Sequence, residues 1–491
     1  MTTTPGTALP DVVPASELTD DAEHSDVVVV GFGIAGGCAA LEAARSGARV
    51  VLLERAAIHG GTSSMSGGHF YLGGGTAVQK ATGKDDSPEE MAAYLMAVSK
   101  EPDEEKIRAY SEGSVEHFDW LESLGFEFER SYFAGKAVIQ PNTEGLMFTG
   151  NEKVHPFRDL AVPAPRGHKV PVPGELEGTK LVMDLLRDRI AEAGVDVRFE
   201  TGAAALVTDD SGAVVGVRWR SFDQTGLIAA SSVVIAAGGF VMNREMVAAY
   251  TPSLAEKPFV LGSTYDDGLG IRMGESVGGA TKFMDEPFIT APFYPPAQLV
   301  KGFIVNKLGQ RFVAEDSYHS RTSGFVMEQP DSAAYLIVDS NHIEHPAFPL
   351  APFIDGWETV EEMEAALGLP EGSLATTMDR YNEYSGRGED PDFHKDPDWL
   401  APQDTGPWGA YDLTLGKALY AGFTLGGLAT SVDGEVLRED GSAIRGLYAA
   451  GACASNIAQD GKGYASGTQL GEGSFFGRRA GRHAAQRPAA G

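Results

Sequence analysis

Residues 26–68 read DVVVVGFGIAGGCAALEAARSGARVVLLERAAIHGGTSSMSGG, and this stretch decides the fold. The apolar run at residues 27–30 predicts a strand, and residues 34–46 have the composition of a helix. Three glycines separate the two in the spacing G-x-G-x-x-G, and a second apolar run follows at residues 50–53. The order of strand, glycine turn, helix and strand predicts a βαβ unit.

The polar and glycine positions of this unit predict a dinucleotide site. Gly31 permits the tight turn, Gly33 lets the backbone approach a pyrophosphate, and Gly36 lets the helix pack close to the strand. Glu54 ends the second apolar run, at the place where an acid meets a ribose hydroxyl. An acid there disfavours a 2′-phosphate, and therefore NADP, as the ligand.

Composition excludes several classes of partner. The chain has 491 residues, 43% of them hydrophobic, which is enough for two or three domains with substantial cores. Its formal net charge of −30 makes nucleic acid and anionic membrane surfaces unfavourable partners. Cys38 and Cys453 offer neither a disulfide framework nor a metal-ligand spacing, so we expect two reduced, buried thiols and no metal.

The N-terminal segment and the domain order are predicted from changes in composition. Residues 1–24 contain neither a basic region nor an apolar core, so we expect a flexible tail, no secretory signal, no membrane span and a cytoplasmic protein. Residues 25–280 form the first part of the nucleotide domain. Residues 281–415 are richer in aromatics and prolines and predict an inserted cap. Residues 416–491 return to the nucleotide domain.

Hydrophobic periodicity predicts the other elements of the chain. Helices are expected at residues 88–98, 103–124, 178–193 and 471–484. Strands are expected at residues 195–200, 203–207, 214–219 and 447–450, together with the segment SSVVIAAGGF at 231–240. Asp266 and Asp267 precede a further predicted helix and are expected to cap it.

The motifs in chain order resemble one known family. The order GFGIAGG, Glu54, GGTSSMSGG, VVIAAGGF, GQRFVAE and GLYAAGA is similar to the FAD-dependent family of fumarate reductase flavoproteins and 3-ketosteroid dehydrogenases. The likeness covers residues 26–483. It implies an α/β fold in which a Rossmann-like FAD-binding domain carries an inserted α+β substrate-capping domain.

The resemblance implies FAD as the cofactor. Gly60 to Ser63 and Ser66 to Gly68 would line the diphosphate and the flavin, and the backbone N–H groups of Gln469 and Leu470 would lie near the flavin carbonyl edge. Members with covalent flavin carry a histidine directly before the threonine of the loop, where this chain has Gly61 before Thr62, so we expect non-covalent FAD. The complete set of expected cofactor residues is Gly31, Gly33, Ile34, Ala35, Gly36, Glu54, Arg55, Gly60, Gly61, Thr62, Ser63, Ser66, Gly67, Gly68, Ala205, Gly238, Gly451, Ala452, Gln469 and Leu470.

The chain departs from the fumarate reductases at the substrate site. The family's arginine position in the last motif is Tyr464, and its histidine is Phe423. A second arginine aligns near Tyr318 or His319, with Arg321 close by. Arginine grips carboxylates bidentately, so these changes predict that a dicarboxylate would be poorly held.

Tyr318 and the segment GYASGTQLGEGSFFGRRAG are most similar to the 3-ketosteroid Δ4-(5α)-dehydrogenases. This likeness implies that the enzyme introduces the C4=C5 bond of a 5α-3-ketosteroid in steroid catabolism. A proton would leave C4, and a hydride would pass from C5 to N5 of FAD. We expect Tyr464, assisted by Ser466, to take the proton, with Tyr318 supporting it or polarising the ketone and the N–H of Gly467 donating to the ketone oxygen.

Several alternatives stay open. A 3-ketosteroid Δ1-dehydrogenase shares the fold but usually has Tyr-Pro-Gly where this chain has Gly463-Tyr464-Ala465. A fumarate-reductase-like enoate reductase and a flavin-holding structural subunit are further candidates. The electron acceptor is not identified. Aromatic residues of the cap that would face a steroid are Phe288, Phe293, Tyr294, Phe348 and Phe353.

Overall fold

The structure is a computed structural model that describes residues 8–19, 21–137, 140–174, 178–255, 258–290, 296–346 and 350–487. Its largest sheet has nine strands and is built around Glu23–Val30, which pairs in parallel with Val50–Leu53 on one side and Gln224–Ile235 on the other. Four consecutive valines end the central strand, all buried, because this part of the sheet is covered on both faces. The predicted βαβ unit is confirmed.

The strand Gln224–Ile235 connects two parts of this sheet. Its first half pairs antiparallel with Val214–Ser221, and its last three residues pair in parallel with Ala443–Ala449. The last strands of the chain therefore return beside the first βαβ unit. The remaining strands of this sheet are Val13–Pro14, Asp196–Arg198, Gly202–Thr208 and Glu435–Leu437.

The nucleotide helix, Ile34–Arg45, packs against the last helix, Thr468–Ala485. A Cβ on Gly477 would overlap the carbonyl oxygen of Ala35, and one on Gly481 would overlap that of Ala39. Residues four apart share a helix face, so glycine at both positions brings the two backbones into direct contact. This approach fixes the start of the last helix next to the glycine turn.

The other α-helices cover the sheets or belong to the cap. They are Ala77–Ala81, Pro88–Val98, Glu104–Ser123, Phe157–Leu160, Gly178–Glu192, Arg244–Tyr250, Leu269–Ser276, His319–Met327, Val360–Leu367 and Ser373–Arg387. Two of the sequence-predicted helices begin after side-chain caps. Ser87 Oγ accepts from the N–H of Glu90, and Asp103 Oδ1 accepts from that of Lys106.

The segment predicted as the cap contains a four-stranded antiparallel sheet. Its strands, in order across the sheet, are Phe303–Asn306, Ala334–Val338, Trp408–Asp412 and Phe353–Trp357. The motif GQRFVAE lies here and is structural, because the buried Arg311 pairs with Glu315 and Asp390 at 2.9 Å each, and Lys395 joins Glu315 at 3.3 Å. A second, small sheet has the strands Phe259–Val260, Ala421–Thr424 and Pro287–Thr290, in that order.

Two further three-stranded sheets complete the architecture of the described residues. The first contains His69–Tyr71, Gly167–Lys169 and Leu146–Met147. The second contains Thr281–Lys282, Gly427–Ala429 and Ala454–Ser455. In the part of the chain that the structure covers, no helix is both long and apolar enough to cross a membrane.

The structure differs from the sequence-based expectations at both ends. The expected loose tail is wrong for residues 13–17, because Val13–Pro14 pairs with the strand Gly202–Thr208, the Val13 side chain is buried, and a short 3₁₀ helix follows. Residues 1–7 lie outside the described residues. The last helix begins at Thr468, three residues before the predicted start, because Gly467 adopts a left-handed φ of +95° and begins the helix there.

Candidate active site

A cavity of about 1020 Å³ runs from the glycine turn to the small sheet that contains Ala421–Thr424. All of the predicted cofactor residues line it except Gly36, Gly60, Gly68 and Ala205. Of the predicted catalytic residues, Tyr464, Ser466 and Gly467 line it as well. The tertiary structure therefore brings together groups that are far apart in the sequence, from Gly31 to Leu470.

The glycine turn has the geometry that a pyrophosphate requires. Gly31 has φ +100°, and a Cβ there would overlap the carbonyl oxygen of Ala236. A Cβ on Gly36 would overlap the carbonyl oxygen of Gly31, so the glycine at position 36 permits the helix to begin this close to the strand. The N–H of Ile34, in the first turn of the nucleotide helix, donates to Ser63 Oγ at 3.1 Å. A helix N-terminus and a hydroxyl-bearing loop therefore meet at one point of the cavity wall.

Glu54 lies where its strand ends and accepts two backbone hydrogen bonds. The N–H of Phe32 donates to Oε2 and that of Ala56 to Oε1, both at 2.7 Å. Burial raises the pKa of Glu54, and the two backbone bonds oppose the shift. This arrangement fixes the carboxylate beside the glycine turn, as expected for an acceptor of ribose hydroxyls.

The second loop of the nucleotide domain is fixed by residues from distant parts of the chain. Thr62 donates its hydroxyl proton to Asp266 and accepts the N–H of Ser263 at 2.7 Å. Burial raises the pKa of Asp266 to about 6, and the Thr62 hydrogen bond opposes this. Ser66 Oγ and Thr179 Oγ1 are hydrogen-bonded at 2.6 Å. The loop is thus an ordered wall of the cavity.

Asp267 has a different role from Asp266. Its Oδ1 accepts the N–H of Leu269, the first residue of the helix, at 3.0 Å, but the N-cap position itself is Gly268 and not the predicted Asp267. Its Oδ2 also pairs with Arg55 at 2.8 Å, and the Arg55 guanidinium lies 4.3 Å from the ring centroid of Tyr265. Asp266 does not cap the helix, because Thr62 holds its carboxylate on the cavity side.

Gly60, Gly68 and Ala205, like Gly36, do not line the cavity and instead take part in backbone turns or core packing. Gly60 has φ +108° and donates its N–H to Phe32 O at 2.7 Å, and Gly68 has φ +81° at a close approach to Gly178. Ala205 packs with Val13 and Val207, while its neighbours Gly202 and Ala203 line the cavity instead. A register shift between Ala203 and Ala205 interrupts the alternation of the strand, and the sequence pattern does not reveal it.

The hydroxyl groups expected to carry the chemistry are brought together at the far end of the cavity. The Tyr318 hydroxyl and Ser466 Oγ are hydrogen-bonded to each other. Tyr318 N–H donates to Asn151 Oδ1 at 3.0 Å, and Ser466 N–H donates to Thr149 O at 2.8 Å, so the backbones of both residues are fixed. Tyr318 itself lies behind Ser466 and is not part of the cavity wall.

Tyr464 lies in an aromatic cluster beside this pair. Its ring centroid is 4.5 Å from that of Phe288 and 5.8 Å from that of Phe423, and only 7% of the residue is exposed. Burial raises the pKa of Tyr464, and the backbone N–H of Gln469 opposes the shift. The phenol therefore stays neutral near pH 7 and is suited to donate a hydrogen bond.

The last helix directs its first turn at the same region. Gln469 and Leu470 lie in that turn and line the cavity, as the resemblance implies. The N–H groups of a first helical turn have no acceptor within the helix, and the helix dipole favours negative charge there. This end of the cavity therefore combines backbone donors with the hydroxyls of Tyr464 and Ser466, and the Ser466 hydroxyl is hydrogen-bonded to Tyr318 behind it.

Histidine and arginine residues near the hydroxyl groups are not placed to hold an anion. His319 lines the cavity, but burial lowers its pKa to about 3, and its Nδ1 is bonded to Thr290 Oγ1. Arg321 does not line the cavity. Its guanidinium lies about 5 Å over the rings of Phe157 and Phe325. Among the described residues, the cavity wall around Tyr464 therefore contains no cationic side chain.

The aromatic residues predicted to face a substrate have different outcomes. Phe288 lines the cavity and stacks on Phe423 with ring centroids 4.6 Å apart. The prediction is wrong for Phe353, which packs on Tyr411 in the four-stranded sheet. The predictions for Phe293, Tyr294 and Phe348 concern positions outside the described residues.

The two cysteines are free and buried, as predicted. Cys453 accepts the N–H of Ala237 at 3.2 Å and donates to Gly238 O at 3.0 Å, so the thiol supports the strand end beside the cavity. Within the described ranges, no three His, Cys, Asp or Glu side chains form a group that could hold a metal ion.

These features fit FAD better than a smaller nucleotide. The cavity continues past the glycine turn, along the ordered second loop, to the N-terminus of the last helix. A diphosphate would lie at the turn, with Glu54 at the ribose, and an isoalloxazine ring would reach Gln469 and Leu470. The fold and site define a flavoprotein oxidoreductase that uses FAD.

The chain belongs to the FAD binding domain family, whose model matches residues 26–473. It is similar to the crystal structure of 3-ketosteroid-Δ4-(5α)-dehydrogenase from Rhodococcus jostii RHA1 in complex with 4-androstene-3,17-dione. The identity is 39%, the TM-score is 0.91, and the match covers 98% of this chain and 100% of that one. This match confirms the predicted fold class.

Curated relatives include enzymes with different substrates. The chain is 28% identical to the 3-oxo-5-alpha-steroid 4-dehydrogenase of Comamonas testosteroni, over 90% of this chain and 94% of the relative. It is 32% identical to the urocanate reductase of Eggerthella lenta, over 94% of this chain and 74% of the relative. Both names describe oxidoreductases, and they differ in the substrate.

Proposed function

We propose that this enzyme dehydrogenates 5α-3-ketosteroids and introduces the C4=C5 double bond. The observation that carries the proposal is the chemistry of the cavity around Tyr464, where aromatic rings and hydroxyl groups form the wall and no described cation is present. An uncharged, flat substrate with one ketone fits this wall. A carboxylate substrate would lose its hydration without gaining an ion pair.

In this proposal Tyr464 donates a hydrogen bond to the C3 oxygen of the substrate. Its raised pKa keeps the phenol protonated, which makes it a poor base and a good donor to a developing enolate. This changes the role expected from the sequence, in which Tyr464 takes the proton. Gly467 lies in the cavity wall beside it, and its N–H stays a candidate second donor.

The hydrogen-bonded pair of Ser466 and Tyr318 is placed to receive the proton from C4. Ser466 lines the cavity and would take the proton as its own hydroxyl proton moves to the Tyr318 oxygen, whose phenol proton would pass on to solvent. FAD, held along Gly31, Ser63 and Gln469, would supply the hydride acceptor for the hydrogen at C5. The electron pair of the broken C4–H bond forms the new C4=C5 bond.

The FAD is proposed to be held without a covalent bond. The nearest histidine of the second loop, His59, has its Nε2 paired with Asp184 at 2.9 Å, and Thr62 follows Gly61. Phosphate contacts at the glycine turn and backbone contacts along the loop suffice to bind a large cofactor.

An anaerobic titration of the purified FAD-loaded protein tests the proposed function. Addition of 5α-androstane-3,17-dione should bleach the oxidised-flavin absorbance and yield the 4-ene-3-ketone, identified by mass and by the position of the double bond. Bleaching only by a 4-ene-3-ketosteroid, with a C1=C2 product, would assign the Δ1 reaction instead. Oxidation of a reduced sample by fumarate or urocanate, without any reaction with steroids, would assign an enoate reductase.

A further inference from the structure

The small sheet that contains Ala421–Thr424 forms one wall of the cavity, and its strands are paired in a regular register. Phe423 pairs with Phe288, next to Tyr464, and Ala421 pairs with Thr290 on one side and with Phe259 on the other. Because side chains alternate along a strand, residues two apart face the same side. Positions 421 and 423 therefore share the cavity face.

The same alternation continues beyond the strand to Leu419. Leu419, Ala421 and Phe423 all line the cavity, whereas Tyr420 is buried on the other side. The four steps of extended chain from Leu419 to Phe423 span about 13 Å at about 3.3 Å per residue. This length is comparable with a four-ring steroid nucleus, so the wall reaches from the hydroxyl groups at Tyr464 to the outer end of such a molecule.

At its outer end the wall becomes an apolar collar formed by Phe259, Leu350 and Leu419. Leu419 N–H donates to Leu350 O at 2.7 Å, and all three residues line the cavity. Phe259 is 59% exposed and Leu419 is 48% exposed. Large exposed apolar side chains that continue the wall of a cavity mark a surface that a ligand covers.

Charge is distributed unevenly along the cavity. The charged side chains that line it in the described residues are Glu54, Arg55, Lys180, Asp184, Asp266 and Asp267. All of them belong to the nucleotide end, and the described residues of the collar contribute none. A substituent bound at the collar is therefore held by apolar contact rather than by an ion pair.

Resting on the proposed function, we propose that the collar binds an apolar alkyl substituent at C17 of the steroid. With the C3 oxygen at Tyr464, the nucleus lies along the wall of Phe423 and Ala421, and C17 reaches Phe259 and Leu419. The side chain of the substrate then covers apolar surface that is otherwise exposed to water. Phe259 and Leu419 become determinants of substrate specificity and take no part in proton transfer.

A comparison of two substrates tests this assignment. 5α-Cholestan-3-one carries an alkyl side chain at C17, and 5α-androstane-3,17-dione carries none. In the Phe259→Ser/Leu419→Ser variant of the FAD-loaded enzyme, kcat/KM for cholestanone should fall at least tenfold, while that for androstanedione should stay within twofold. The control is Leu308→Ser, since Leu308 is 42% exposed in a cap turn and does not line the cavity.

Each other outcome overturns a specific statement. An equal loss for both substrates, or no loss for cholestanone, would refute the role of the collar while leaving the dehydrogenase assignment intact. If the wild-type enzyme dehydrogenates neither steroid, the proposed function itself fails, and the collar assignment fails with it. Retained flavin content and an unchanged melting temperature in the variant exclude misfolding as the cause of a loss.

Discussion

Replacement of Tyr464 by phenylalanine removes one hydroxyl and keeps the packing of the aromatic cluster. The ring is held by Phe288 and Phe423, which a phenylalanine at 464 would contact in the same way. The variant should therefore fold and bind FAD, with a stability loss of about 1 kcal/mol from the altered hydroxyl environment. Any large kinetic effect would then report the missing donor.

The size of the effect follows from the proposed role. A donor that stabilises a developing oxyanion in a dry site contributes about 3–4 kcal/mol, so kcat should fall by roughly 10²–10³. Tyr464 is only 7% exposed and burial raises its pKa, so it is a neutral hydrogen-bond donor in a dry site. The substrate dissociation constant should change much less, because the ketone carries less negative charge before the reaction than during it.

Stopped-flow measurement of flavin reduction by 5α-androstane-3,17-dione separates the two quantities, since the limiting rate reports the chemical step and its half-saturation reports binding. The matched control is Tyr411→Phe, which removes a phenol hydroxyl bonded to Glu344 O at 2.8 Å in the cap sheet. That control should keep the wild-type rate. A limiting rate in Tyr464→Phe within threefold of wild type would refute the assignment of Tyr464 as the donor.

Three more outcomes are expected. The Gly31→Ala variant should lose most of its FAD, because the new Cβ would overlap Ala236 O. The control is Gly47→Ala, which has a similar φ of +94° and no atom within 4 Å of the new Cβ, so it should lose about 1 kcal/mol of stability and keep its FAD. The ratio of flavin to protein absorbance measures the FAD content of both variants. Acid precipitation should leave the yellow colour in the supernatant, and colour in the pellet would mean a covalent bond. Burial raises the pKa of Glu472 to about 7, so the folded chain holds more protons than the unfolded chain between about pH 4.5 and pH 7, and its stability should fall as pH rises through that window. The Glu472→Gln variant should lack this decline, so its free energy of unfolding, relative to that of the wild type, should increase by up to about 3 kcal/mol between about pH 4.5 and pH 7. Urea unfolding at both pH values measures this, and an equal difference between variant and wild type at the two values would contradict it.

Local sequence patterns suffice to predict the βαβ unit of the nucleotide site. The spacing of Gly31, Gly33 and Gly36 and the acid at Glu54 are local constraints, because each acts on backbone or side-chain groups within one βαβ unit. Helix periodicity is local in the same sense, and the helix Pro88–Val98 has the bounds that its pattern predicts. The family resemblance added FAD and the fold, which the comparisons confirm.

Contacts between distant segments were decided only by the tertiary structure. No local pattern indicates that Asp266 holds Thr62, or that a register shift at Ala203 moves Ala205 away from the cavity. The pairing of Tyr318 with Ser466 joins residues 148 positions apart. The resemblance named both residues, but it did not reveal the bond between them.

The assignment of roles depends on the same long-range packing. Burial of Tyr464 among aromatic rings from other strands raises its pKa and favours a donor, in place of the base expected from the sequence. The alternation of Leu419, Ala421 and Phe423 likewise points to a ligand wall only because the structure places these residues along the cavity. Sequence determines which groups are present, and the packing of distant segments sets their solvation and partners, and with these their chemistry.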